Sequence, residues 1–67
     1  MNETLGSRIR ARREARRLTQ RELAQAVALD PAYISLIETG RRTPSVEKLN
    51  AIAKYLGTTM DFLTGGR

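Results

Sequence analysis

Apolar residues recur along this chain in short helical stripes, each opened by a residue suited to capping a helix. Leu5, Ile9, Arg13 and Arg16 share one stripe of a first segment, apolar at its start and basic at its end. Asn2 is placed to cap that helix, which should run to about Arg16. Thr19-Gln20-Arg21-Glu22 reads as a capping box, and the helix it opens sets Leu23, Ala24 and Val27 on one face. Asp30-Pro31 pairs an N-cap with proline at the first helical position, where its missing N–H costs nothing. This third helix should reach about Thr39 and stop at Gly40. Ser45 caps a fourth, carrying Val46, Leu49, Ile52, Ala53 and Leu56 at helical spacing up to Gly57. Thr59 caps a short fifth containing Met60, Phe62 and Leu63. Nothing alternates as a strand does, and no repeat is present. The pattern predicts an all-α fold of five helices, one domain over residues 1–67. Its core should hold Leu5, Ile9, Leu18, Leu23, Val27, Ile34, Ile37, Val46, Leu49, Ile52, Leu56, Phe62 and Leu63.

The gap of two residues between Val27 and Asp30 is the most informative spacing in the chain. Helices so joined must turn sharply, as in a helix-turn-helix covering about 20–38; a plain αα-hairpin of a bundle is the alternative. At about 100° per residue, Ile34 and Ile37 define the buried side of the third helix. Ala32, Ser35, Leu36 and Thr39 lie opposite, with Tyr33 at the flank. An outward face of an ordinary surface helix carries Lys, Glu or Arg. This one is small and uncharged, which suits close approach to another surface such as the floor of a major groove. Leu36 could instead enlarge the core, although it stands about 130° from the Ile34/Ile37 direction. Tyr33 could pack on the second helix or reach outward.

Charge sharpens this picture. Residues 1–21 hold seven arginines (Arg8, Arg10, Arg12, Arg13, Arg16, Arg17, Arg21) against Glu3 and Glu14, while the remainder is neutral, so the net charge of +5 sits at one end of the sequence. A polyanionic partner explains such a cluster, and so does a solvated helix face. There is no cysteine and no histidine, which removes disulfides, thiolate metal sites, the commonest zinc ligand and the usual general base. No enzyme, metal, cofactor or small-molecule reading has residues to rest on. No apolar run approaches the roughly 18 residues of a membrane span, and the N-terminus lacks the apolar stretch of a signal peptide, which points to the cytoplasm.

Leu18-Thr19-Gln20-Arg21-Glu22-Leu23-Ala24, then Tyr33-Ile34-Ser35-Leu36-Ile37-Glu38-Thr39-Gly40, then Pro44-Ser45 before an amphipathic helix, resembles the Cro and lambda-repressor-like (XRE-type) helix-turn-helix family. The resemblance covers roughly Leu5 to Leu63 and implies a five-helix DNA-binding domain whose second and third helices form the motif. It implies that Gln20 touches the phosphate backbone and braces the recognition helix, and that Arg13 and Glu38 form an ion pair tying helix one to the end of helix three. Arg41 and Arg42 fall in a loop where such proteins place phosphate-binding residues. Pro31, Ala32, Tyr33, Ser35 and Leu36 occupy positions from which base edges are read, and Arg21 and Thr39 complete the expected DNA-binding set. Some helix-one arginines are expected to join Gln20, Arg41 and Arg42 in one basic surface flanking helix three.

Three departures stand out. Arg17 and Ala28 occupy positions where members of the family often have glycine. A left-handed backbone there costs on the order of 1 kcal/mol each, so the turns either bear that cost or adopt another geometry. The reading face also lacks Gln, Asn, Arg and Lys, the side chains that contact bases bidentately, leaving thymine-methyl contacts, single hydrogen bonds and DNA shape. The expectation is a transcriptional regulator, a repressor binding double-stranded DNA as a homodimer on a palindromic operator. Its dimer surface is expected at Gly57–Thr64, with Met60 and the Thr58-Thr59 pair as contacts. The alternative is an interaction module or antitoxin-type domain docking a protein on the Ala32/Leu36 face. A salt-dependent gel shift separates the two.

Overall fold

The computed structural model describes residues 4–65 and contains five helices: α1 (Leu5–Ala15), α2 (Gln20–Ala26), α3 (Pro31–Glu38), α4 (Val46–Tyr55) and α5 (Met60–Leu63). Each begins on a side-chain oxygen. Thr4, Thr19, Asp30, Ser45 and Thr59 are the N-caps, and each accepts from a backbone N–H of the first turn. The first cap is therefore Thr4, which forms a reciprocal capping box with Ser7; Asn2, expected in that role, lies outside the described residues. The reciprocal pair Thr19–Glu22 is present, with bonds of 3.0 and 2.8 Å.

The first four helices also end alike. The N–H of the second residue past each cap donates to the carbonyl five residues back: Leu18 to Arg13, Leu29 to Ala24, Arg41 to Leu36 and Thr58 to Ala53, at 2.8–3.1 Å. The residue before each has a positive φ, at Gly40 and Gly57 but also at Arg17 (58°) and Ala28 (59°). These are Schellman closures, which satisfy the last carbonyls without lengthening the helix. Four in a row explain how so short a chain turns four corners.

Ile9, Leu23, Ala24, Val27, Ile34, Ile37, Leu49, Ile52, Ala53, Leu56 and Leu63 form one core, with α3 packed on both α2 and α1. Leu18 and Leu29, the residues following the two strained turns, pack against it. Two expected core residues do not belong. Val46 shares the apolar stripe of α4 but stands at its first position, past the edge of the core, and is 72% exposed. Phe62 is 46% exposed because neighbours on a helix point about 100° apart, and α5 turns Leu63 inward instead. No helix among the described residues is long and apolar enough to cross a membrane.

Candidate nucleic-acid interface

The placement of α3 starts from a glycine. Gly6 is buried in the first turn of α1, and a Cβ there would overlap the carbonyl oxygens of Ile37 and Glu38. Only a residue without a side chain lets α1 lie this close to the last turn of α3. Nothing in the apolar pattern marks that position; a glycine inside a helix, which costs up to about 1 kcal/mol against alanine, was the available signal.

The same contact delivers Arg13 to Glu38. Arg13 Nε donates to Glu38 Oε2 at 2.7 Å and Nη2 to Oε1 at 3.2 Å, while Nη1 donates to the Leu18 carbonyl at 2.6 Å. Gln20 Nε2 donates to Glu38 Oε1 at 3.0 Å. One carboxylate thus joins the end of α1, the start of α2 and the end of α3. The side chains of Arg13 and Glu38 are 10% and 2% exposed, so this is a buried, fork-like charge pair with every buried polar atom satisfied among the described residues. The Arg13 pKa is raised, chiefly by its hydrogen bond to Glu38; burial opposes the shift, and the charges of Glu38 and Glu14 reinforce it. The guanidinium stays charged at any pH the fold encounters.

The turn between α2 and α3 is left-handed at Ala28, as the loop after α1 is at Arg17. The backbone expected of glycine is kept without glycine, and the strain is borne rather than avoided. What holds it is the pair of closing bonds, Leu29 N–H to Ala24 O at 2.8 Å and Ala28 N–H to Gln25 O at 3.3 Å, together with burial of Leu29 against the core.

In front, α3 presents Ala32 and Thr39 exposed, with Pro31, Ser35 and Leu36 half-buried. Leu36 stands outside the core cluster, whereas the Tyr33 ring packs against it. The Thr39 hydroxyl donates back to the Ser35 and Leu36 carbonyls at 3.0 and 3.2 Å, so its donor is used within its own helix. Arg41 and Arg42 both donate their backbone N–H to the Leu36 carbonyl, at 2.9 and 3.2 Å, and their side chains are exposed. Two guanidinium groups therefore leave the end of α3 from fixed backbone positions.

The arginines of α1 do not join them as a group. Arg12 Nη2 donates to the Gly57 carbonyl at 3.1 Å and its guanidinium lies 5.5 Å from the centre of the Phe62 ring. The guanidinium of Arg8 lies beside Gly65 and that of Arg16 beside Gly57. Spaced four apart, these three run along one side of α1 toward the C-terminal ends of α4 and α5. Arg10 pairs with Glu14 at 3.1 Å, and Arg13 is buried. Among the described residues, Arg17, Arg21, Arg41 and Arg42 remain exposed and make no side-chain hydrogen bond or ion pair. The expected continuous basic surface thus loses Arg8, Arg12 and Arg16, because the period of α1 sends them elsewhere.

Comparison with known proteins places this geometry. The helix-turn-helix family model matches residues 9–63. The chain is 40% identical over 62 residues to the immunity repressor protein of Bacillus phage phi105, covering 92% of this chain and 43% of that protein. It is 38% identical over 58 residues to an uncharacterized HTH-type transcriptional regulator of Mycobacterium tuberculosis, covering 87% and 41% respectively. It therefore spans less than half the length of either relative. The fold is similar to that of the P22 c2 repressor protein solved in complex with a synthetic operator, with a TM-score of 0.93 and 33% identity over 98% of this chain and 100% of the other.

Proposed function

The chain belongs to the helix-turn-helix family, and from that premise we propose that it is a sequence-specific DNA-binding regulator of transcription, a repressor acting as a homodimer on a twofold-symmetric operator. The observation that carries this reading is the two-sided character of α3. Behind, Ile34 and Ile37 are buried and Glu38 is locked to Arg13 and Gln20. In front, the helix offers small, uncharged groups with Leu36 half-exposed among them. Such a surface can approach the floor of a groove about 12 Å wide without desolvating a charge.

In this reading Ala32 and Leu36 contact thymine methyl groups, Ser35 and the first turn at Pro31 approach base edges, and Thr39 packs at the groove wall. Tyr33, its ring held against the core, contributes its hydroxyl from the flank. Arg21, Arg41 and Arg42 contact phosphates, and Gln20 does so with the N–H group that Glu38 leaves unused. The relatives support the assignment: one is named an immunity repressor, and a similar fold has been solved on an operator. The same role places the protein with the DNA, in the cytoplasm. Domain extents of 28 × 23 × 22 Å suit two copies in contact with their third helices in successive major grooves about 34 Å apart.

Selection of bound sites from random duplex DNA, followed by a salt titration, tests the proposal. Twofold-symmetric sites with half-sites roughly 10 base pairs apart are expected. About six arginine–phosphate contacts per dimer give a log–log salt slope near −5. Selected sites without symmetry would remove the dimer, and salt-insensitive binding would remove DNA as the partner.

A further inference from the structure

The front of α3 lacks the groups that tell one pyrimidine from another by hydrogen bonding. Ala32 is exposed, and Leu36 stands half-buried outside the core, one helical turn further along the same face. The Thr39 hydroxyl gives its proton to the Ser35 and Leu36 carbonyls. The Asp30 carboxylate beside this face caps α3, accepting from the Ala32 N–H at 2.8 Å. What remain are the hydroxyls of Ser35 and of Tyr33 at the flank, neither of them hydrogen-bonded among the described residues. A hydroxyl both donates and accepts, so it meets a donor or an acceptor on a base edge equally well.

Thymine and cytosine differ in the major groove in two respects. Thymine presents the O4 acceptor and a methyl group on C5, whereas cytosine presents the N4 amino donor and no methyl. A carboxylate or a guanidinium would separate O4 from N4. The hydroxyls of this face do not, and the side chains of Ala32 and Leu36 respond only to the methyl. 5-Methylcytosine carries a methyl group on the same ring carbon as thymine. To α3 the two bases therefore look alike, and unmodified cytosine does not.

We propose that Ala32 and Leu36 read the C5 methyl group itself, whichever pyrimidine carries it, so that 5-methylcytosine takes the place of thymine in the operator. This rests on the DNA-binding reading above and names the chemical feature that α3 selects. It makes binding responsive to a modification of the DNA: methylating a cytosine at one of these positions tightens binding, with no change in base pairing. Each methyl is worth about fourfold in affinity, the value for one buried CH₂.

Equilibrium binding to the operator selected from random duplex DNA tests the assignment. Each preferred thymine is replaced in turn by uracil, by cytosine paired with guanine, and by 5-methylcytosine paired with guanine. Uracil removes the methyl and nothing else, and should weaken binding about fourfold at the positions facing Ala32 and Leu36. Methylating the cytosine at those positions should strengthen binding by a similar factor. Leu36→Ala, shown to be folded by circular dichroism, should bring both ratios close to one at a single position per half-site and leave them intact at the other. Selected sites without a preferred thymine, uracil bound as tightly as thymine throughout, 5-methylcytosine bound as weakly as cytosine, or Leu36→Ala with every ratio unchanged would each overturn the inference. A parent that binds duplex DNA without methyl dependence loses this inference alone. A parent that binds no duplex at low salt loses the DNA-binding reading with it.

Discussion

Replacing Ala28 with glycine should stabilise this domain, although glycine is ordinarily the residue that weakens a fold. Ala28 holds φ at 59°, where an L side chain brings Cβ too close to the following carbonyl at a cost of about 1–2 kcal/mol. Glycine removes that cost but enters folding from a more flexible unfolded chain, a penalty of about 0.5–1 kcal/mol. The difference leaves a net gain of about 0.5–1 kcal/mol. In a domain of this size each kcal/mol moves Tm by about 4–8 °C, so Ala28→Gly should melt a few degrees above the parent. Arg17→Gly should behave alike at φ 58°, and the two gains should add because each acts at its own helix end. Differential scanning calorimetry reads the change directly. Ala28→Val provides the opposite control, since a β-branched side chain fits a left-handed backbone worse than alanine. A glycine variant that melts at or below the parent, beside a valine variant that melts unchanged, would show that the turn is not strained.

Glu38→Ala strips buried Arg13 of its two-bond carboxylate partner, leaving the Leu18 carbonyl and the more distant Glu14, a loss of up to about 3–5 kcal/mol that should unfold much of the population at ambient temperature by circular dichroism; Glu38→Gln, which keeps one acceptor oxygen for Arg13, should lose less. Gly6→Ala forces α1 away from the α3 carbonyls and should cost about 1–3 kcal/mol in urea unfolding, opposite in sign to the usual effect of alanine in a helix. Removing Arg41 and Arg42 together should weaken binding to all DNA sequences alike and lower the salt slope by about 2 per half-site; a double variant that keeps its affinity but prefers another sequence would refute their phosphate role. Leu36→Gln should change the preferred base at one position per half-site while the half-site spacing stays fixed, and unaltered selection would mean that α3 reads DNA through some other residue.

The helices were legible because each begins with a cap whose chemistry is local. Thr19–Glu22 and Asp30-Pro31 announce their turns without reference to the rest of the chain. Arg13, Glu38 and Gln20 were legible only through family resemblance, since no periodicity says that residues 25 apart share a carboxylate. Long-range placement was where pattern reading failed. Helical spacing put Val46 and Phe62 on apolar stripes, but a stripe extends past the core at its first residue, and a four-residue helix can turn only one of two adjacent side chains inward. The arginines of α1 form one cluster in sequence and separate functions in space, because a period of 3.6 residues distributes them around the axis. Gly6 escaped notice for the complementary reason: its role lies in what it lacks, and only the approaching carbonyls of Ile37 and Glu38 reveal it.

The neutral face of α3 sets how a regulator of this kind must obtain its selectivity. A thymine methyl buried against Ala32 or Leu36 contributes about 0.8 kcal/mol, the value for one buried CH₂. Two such contacts per half-site, doubled by symmetry, amount to about 3 kcal/mol, or roughly a hundredfold preference. Operator proteins typically favour their sites by at least about 10³-fold over other DNA. The remainder has to come from single hydrogen bonds at base edges and from the shape of the duplex, which a protein reads by holding phosphate contacts at fixed separations. That requires rigid anchors, and the local architecture supplies them: Arg41 and Arg42 are tied through their backbone to the Leu36 carbonyl, and Gln20 is fixed by Glu38. The buried carboxylate then has a purpose beyond stability. It fixes the distance between the start of α2 and the end of α3, the two places to which the proposed function assigns phosphate contacts, and in that reading turns the width of a groove into a condition for binding.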